Sequence, residues 1–225
     1  MSDSSTFNHY GIWSEQPVVV LDVETTGVTE ADRVVQIGLA RFERGELAEA
    51  WCSLVWSEVE VPEAATRIHG ITTQQVSSAP KLVELMPNVI RLARGAQPAA
   101  YNAPFDKRFF FSELRRLDYS PALLPILLFD QSVPWLDPLV WARKIDSNVK
   151  GQGNKLGDVC ARRGIPLEGA HDAKADAIAT GKVLFTMVKD IGDVTMSELL
   201  RQQSAHAESQ NRRFAAWRAR STAAR

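Results

Sequence analysis

The sequence predicts an α/β sandwich, with helices flanking a central mixed sheet of five strands, and three observations carry that prediction. Three strand-like stretches follow one another between Pro17 and Trp56, two shorter apolar runs come later, and amphipathic helical patterns separate and follow those runs. The 225 residues are 45% hydrophobic and 24% charged, enough for one sizeable core. A single domain is therefore expected over residues 17–190, with an arm at 1–16 and a basic helical extension at 191–225.

The arm is polar and mixed and reads as poorly ordered, with Trp13 placed to tuck onto the body. The first strand, within Val18 to Gly27, is a β-branched run that ends in two carboxylates. Successive strand side chains alternate faces, so Asp22 and Glu24 point the same way. Like charges on one side of a buried strand repel and lose hydration, at a cost of several kcal/mol unless protons or cations neutralise them. Hard divalent cations with oxygen ligands are the natural remedy. An ordinary strand running into a polar turn, with Glu24 solvated, fits this stretch equally well.

Gly27 to Asp32 is a polar loop, and Arg33 to Glu43 reads as a second strand with Val35, Ile37, Leu39 and Phe42 apolar. A tight turn around Gly45 returns the chain into a third strand, Leu47 to Trp56, completing a meander. Pro62 opens a short helix that stops near Gly70, and Thr72 or Thr73 caps the next turn. Lys81 to Arg94 carries a helical stripe, Pro98 to Tyr101 is a brief strand, and Pro104 to Leu117 is a helix with Asp106 in its first turn. Leu123 to Phe129 is read as the fifth strand and Asp137 to Ile145 as a helix. Ser147 to Gly157 reads as a mobile loop into a helix at Leu156 to Arg163, and the last core helix runs from about Asp172 to Lys189. Trp51, Trp56, Trp135 and Trp141 lie in or beside these elements and are assigned to the core.

Composition narrows the function classes. No run approaches the roughly 18 apolar residues of a membrane span, and the first residues lack the basic and apolar regions of a signal peptide, so a cytoplasmic location is expected. Cys52 and Cys160 have no neighbours at metal-ligand spacing and read as buried thiols. The net charge of −1 conceals an asymmetry: from Thr195 onward six arginines face Glu198 and Glu208, for +4, which leaves −5 on the rest. An acidic body argues against non-specific duplex binding over its surface, yet suits a carboxylate-rich site offset by metals.

Two further acids sit at helix starts. Asp106 and Asp176 lie near positive helix ends, where a carboxylate stays ionised. His171, five residues before Asp176, falls on the loop entering the helix, a position for a general base. Taken singly, each has a plainer reading: a helix cap for His171 or Asp172, a dipole partner for Asp106.

Together, Asp22-x-Glu24, Tyr101-Asn-Ala-Pro-Phe-Asp106 and His171-x4-Asp176 resemble the three motifs of the DEDDh 3′→5′ exonucleases, the family of the bacterial proofreading ε subunit. Ile68-His-Gly-Ile-Thr72, Asp137 to Arg143 and Asn154 to Cys160 resemble its intervening segments. Tyr101 stands where relatives often have His, Pro104 replaces a small polar residue, and the Arg-rich end has no counterpart in the family's catalytic domain. The resemblance implies a ribonuclease-H-like fold whose first three strands are antiparallel. It implies two Mg²⁺ or Mn²⁺ ions roughly 3.5 to 4 Å apart, held by Asp22, Glu24, Asp106 and Asp176, with His171 as base. The product would be a nucleoside 5′-monophosphate.

The resemblance also implies that the backbone near Val23 and Thr25, with the side chains of His69 and Phe105, meets the last nucleotide. Phe105 as a core residue and His69 as a helix cap are the alternatives. The substrate expected is a nucleic-acid 3′ end, with single-stranded DNA favoured over RNA and a DNA polymerase as a possible partner. A non-catalytic nucleic-acid or polymerase-binding module is the competing class. For the extension, Phe214, Ala215 and Trp217 permit a helix that is solvated, docked, or a basic arm guiding nucleic acid.

Overall fold

Strand β1 (Val18–Thr25) lies inside the sheet, antiparallel to β2 (Val34–Glu43) on one side and parallel to β4 (Gln97–Ala99) on the other. The remaining strand, β3 (Glu46–Leu54), pairs antiparallel with β2, giving the order β3-β2-β1-β4. The computed structural model describes residues 7–119, 126–147 and 153–223. Helices α1 (Glu63–His69), α2 (Thr73–Ser77) and α3 (Leu82–Ala93) precede β4, and α4 (Ala103–Arg116) follows it. The chain continues through α5 (Pro138–Ile145), α6 (Leu156–Arg162), α7 (Ala173–Thr186), α8 (Val188–Ile191) and α9 (Met196–Ala223).

The pleat of β1 divides the core in two. Val19, Leu21 and Val23 pack with residues of α3 and α4, whereas Val18 and Val20 pack with residues of α5, α7 and the start of α9. Local signals set the helix ends as the sequence predicts. Gly70 closes α1 in the left-handed region at φ 74°, and Thr72 caps α2 through a reciprocal pair of bonds with Gln75. A buried ion pair that the sequence does not announce joins the sheet to α4: Arg33 grips Glu113 through two bonds of 2.8 Å, and Glu113 also accepts the Val34 N–H.

Four expectations are corrected. Among the described residues the sheet has four strands, not five: Leu127–Phe129 is a 3-10 turn with Leu128 fully buried, and residues 120–125 lie outside the described set. Pro125, inside the apolar run, lacks the N–H a ladder needs. The fifth position is marked by one parallel bridge, Ala99 to Leu136. The arm, described from Phe7 onward, is pinned rather than loose. Trp13 tucks onto the body as expected: it is fully buried, stacks on Phe185 at 5.6 Å, and donates its indole N–H to the Gly192 carbonyl. Cys52 is half-buried, while Cys160 is buried as expected. Trp135 and Trp141 are in the core, but Trp51 and Trp56 are half-buried, with the Lys81 ammonium over the Trp56 ring. The loop expected at Ser147 to Gly157 falls partly outside the described residues. Among the described residues no helix is long and apolar enough to cross a membrane.

Candidate active site

The carboxylates collect where the sheet is left open. Because β4 pairs only with Val18 to Val20, the β1 edge beyond them has no strand beside it among the described residues, and the Val23 N–H donates instead to Asp106 Oδ1 at 3.1 Å. Asp106 is buried in the first turn of α4, where Pro104 fits the opening of the helix. Asp22 and Glu24 share the opposite face of β1, the face that α7 covers.

How α7 comes so close depends on two β2 residues, Gly38 and Gln36, neither of which carries a functional signature in the sequence. Gly38 lies across from Asp22, and a Cβ there would stand 2.3 Å from the Ala173 backbone, so only glycine lets the helix start touch the sheet. Gln36, across from Glu24, clamps the same turn: its carbonyl accepts the Ala173 N–H at 2.9 Å and its amide donates to Asp172 Oδ2 at 3.1 Å. Asp172 in turn caps the helix by accepting the Ala175 N–H. No local pattern in the sequence signals this approach, because the partner that requires glycine lies far along the chain.

Asp176, one turn into α7, accepts the His171 N–H on Oδ2 at 3.2 Å, while its Oδ1 is buried without a hydrogen-bond partner. His171 adopts a left-handed backbone (φ 67°) and is exposed. Donor atoms of Glu24, His171 and Asp176 lie within 4.8 Å of one another. His69 is half-buried and takes the Ile71 N–H on Nδ1, while its buried Nε2 has no hydrogen-bond partner. Burial and the neighbouring His171 hold its pKa down. Thr25 donates its hydroxyl to the Gly27 carbonyl at 2.6 Å. Phe105 is half-buried and packs on Phe109 at 4.8 Å, with the Arg108 guanidinium over its ring, so its core role and an exposed edge coexist. The Val23 side chain is core and its N–H is committed to Asp106.

Crowding changes the acids. Burial raises Asp22 well above the usual carboxylate range, and the charges of Asp106, Asp176, Glu24 and Asp172 add to it. Glu24 is pushed up to about 8, by burial first and then by Asp176 and Asp172. Asp176 is raised by burial, opposed by the His171 N–H and imidazole; Asp106 is raised by burial against the Val23 N–H. Such a cluster keeps protons unless a cation replaces them. The unpartnered Asp176 oxygen, among carboxylates that outnumber the one imidazole of His171, suits a hard divalent ion.

Comparisons with known proteins bear on the family and the fold. The family described as Exonuclease (RNase_T) matches residues 19–184. A PolC-type DNA polymerase III of Streptococcus thermophilus is 32% identical over 178 residues, covering 79% of this chain and 11% of that protein. A DNA polymerase III subunit epsilon-like protein of Rhodobacter capsulatus is 34% identical over 197 residues, covering 84% of this chain and 26% of that protein. This chain thus spans about a tenth to a quarter of the length of these relatives. Among solved structures, the zinc-ion-bound form of the E. coli ExoI–ssDNA complex superposes with a TM-score of 0.65 at 20% identity, covering 78% of this chain and 41% of that one. That likeness concerns the fold.

Proposed function

The chain belongs to the RNase T exonuclease family, and we propose that it is a metal-dependent 3′→5′ exonuclease of the DEDDh type. Its substrate would be the 3′ end of single-stranded DNA, released one nucleoside 5′-monophosphate at a time. The observation that carries this reading is the convergence of Asp22, Glu24, Asp106 and Asp176 with His171 at one open sheet edge. Those four carboxylates would hold two divalent cations, Mg²⁺ or Mn²⁺. When bound, the cations offset charge on the reacting phosphate and make water a better nucleophile at neutral pH.

The residues themselves do the rest. The left-handed backbone at His171 presents its imidazole at the rim, where a ring nitrogen takes the proton from the attacking water. A hard cation prefers oxygen ligands, which leaves His171 free for this role although its nitrogen lies near Glu24 and Asp176. As the water oxygen bonds to phosphorus, the bond to the 3′ oxygen of the shortened strand breaks. Asp106 holds the β1 edge in place through the Val23 N–H. His69, beside Thr25, and the Phe105 ring would flank the last sugar and base.

The names of the relatives support DNA and a replicative polymerase as the setting, since both are DNA polymerase III proteins. The test is digestion of matched 5′-labelled DNA and RNA oligonucleotides with Mg²⁺ or Mn²⁺. The wild type should shorten single-stranded DNA stepwise from its 3′ end and RNA more slowly, and Asp22→Ala and Asp176→Ala should each abolish cleavage while remaining folded. Undiminished cleavage in both variants would remove the mechanism, and faster cleavage of RNA would reverse the substrate assignment.

A further inference from the structure

Helix α9 lies beyond the span that the exonuclease family matches, yet it forms one wall of a cleft of about 500 Å³. Tyr101 and Asn102, at the entry to α4, form a second wall, and Arg143, Lys155 and Phe214 complete the lining. The floor is firmly set. Asn102 and Ala103 both donate their N–H groups to Asp137, and the Tyr101 hydroxyl donates to the Asn154 carbonyl at 2.6 Å. On α9, Gln210 anchors the helix to the Val140 carbonyl, and one turn later the Phe214 ring meets the Arg143 guanidinium at 5.1 Å. Phe214 is still 42% exposed and Trp217, on the same helix face, is 62% exposed.

Charge distinguishes this face from the remainder of the extension. Arg201 and Arg212 are paired with Glu198 and Glu208 along the helix. By contrast, among the described residues Lys155, which lines the cleft, and Arg213, next to Phe214 in α9, form no ion pair, and no carboxylate lines the cleft. Cations outside ion pairs beside exposed aromatic rings match a flexible anionic polymer whose bases stack on any π-face. The place is also right. Asn102 is about one helical turn from Asp106, roughly 6 Å along α4, so the cleft is within reach of a strand whose 3′ end lies among the acids.

We infer that the cleft between α9 and the start of α4, together with the Phe214 and Trp217 rings, binds the single-stranded stretch of nucleic acid upstream of the 3′ end. The identity of this ligand rests on the exonuclease reading. Phe214 and Trp217 stack bases, with Arg143 behind the Phe214 ring, while Lys155 and Arg213 contact phosphates. Stacking gives little sequence preference, so the grip is the same for any sequence.

Fluorescence anisotropy of a 5′-labelled dT20 with the full chain in EDTA separates binding from cleavage. Replacing both rings, Phe214→Ala with Trp217→Ala, should raise the Kd by at least about thirtyfold. Replacing both cations, Lys155→Ala with Arg213→Ala, should flatten the slope of log affinity against log salt by about 1.4, the value for two phosphate contacts on a single strand. All four side chains are exposed, and matched circular dichroism melts confirm that the variants fold. Unchanged affinity in the ring variant, or no binding by the wild type, overturns the inference and leaves the face to a protein partner. Binding that weakens as expected in a chain that never cleaves would sink the exonuclease reading instead and leave this one standing.

Discussion

Glu24 shows how one side chain ties the chemistry of the site to the stability of the fold. Its pKa is pushed up to about 8 by burial and by Asp176 and Asp172, against an ordinary 4.5. Between those values the folded chain keeps a proton that the unfolded chain has released. The stability linked to that proton is fully present below the unfolded value and is lost as the pH rises through the folded one. Asp22, Asp106 and Asp176 are shifted in the same direction and steepen the loss. In EDTA, the Tm of the wild type should therefore fall between about pH 5 and about pH 8. Glu24→Gln, which cannot ionise, should fall less, gaining about 2–4 °C at the upper end for each kcal/mol of repulsion removed. Adding Mg²⁺ should raise the wild-type Tm more at the upper end than at the lower, because a bound cation favours the ionised acids. A melting profile that is flat or rising over this range in EDTA would show that the acids are not crowded as described.

At the level of elements, the decisive contact is α7 on β2, and Gly38 permits it. Gly38→Ala would set a methyl 2.3 Å from the Ala173 backbone, which cannot rotate away as a flexible side chain could. The helix start must shift, at a cost of about 1–3 kcal/mol. Because Asp176 and His171 travel with it, cleavage should fall more than stability, by ten- to a hundredfold at a temperature where the variant is still folded. Cleavage equal to the wild type in a folded variant would show that the approach of α7 does not position the site. This contact also marks the limit of what the sequence reveals. Asp22 and Glu24 are readable as a facing pair because a strand's period of two is local, and the ends of α1 and α2 are readable because Gly70 and Thr72 act within a few residues. Gly38 is silent, since its necessity is created by a helix far along the chain. Leu123 to Phe129 misleads because a short apolar run is consistent with a strand or a buried turn, and Pro125 inside it was the contrary signal. Asp137 is legible only as the start of a helix; in the structure it caps α5, and its carboxylate also takes the N–H groups of Asn102 and Ala103, a tertiary tie between α4 and α5 that no local pattern encodes.

For the molecule as a whole, the stretch matched by the exonuclease family is smaller than the unit that buries the core. The match ends at residue 184, yet Met196 and Leu199 are fully buried and Leu200 nearly so, against the face of the sheet where Trp13 also packs. The same turns of α9 meet polar needs in the interior: Gln203 accepts the Asp137 N–H and donates to the Trp135 carbonyl, and His206 packs edge-on to Trp141. The chain before the first strand closes the arrangement, with the Met196 and Ser197 N–H groups donating to the carbonyls of Gly11 and His9. Beyond Gln210 the helix is exposed. Two truncations should consequently behave very differently. Ending the chain after Gln210 removes exposed turns and should shift the Tm by no more than about 2 °C, the change expected from under 1 kcal/mol in a domain of this size. Ending it after Val194 uncovers three core side chains, each contributing about 1.5–3 kcal/mol, a total comparable with the whole stability of a typical domain. That shorter chain should be largely unfolded at 25 °C or melt at a far lower temperature, as read by circular dichroism. A cooperative, unshifted melt after the second truncation would show that residues 17–190 form an autonomous domain and that α9 is an appendage.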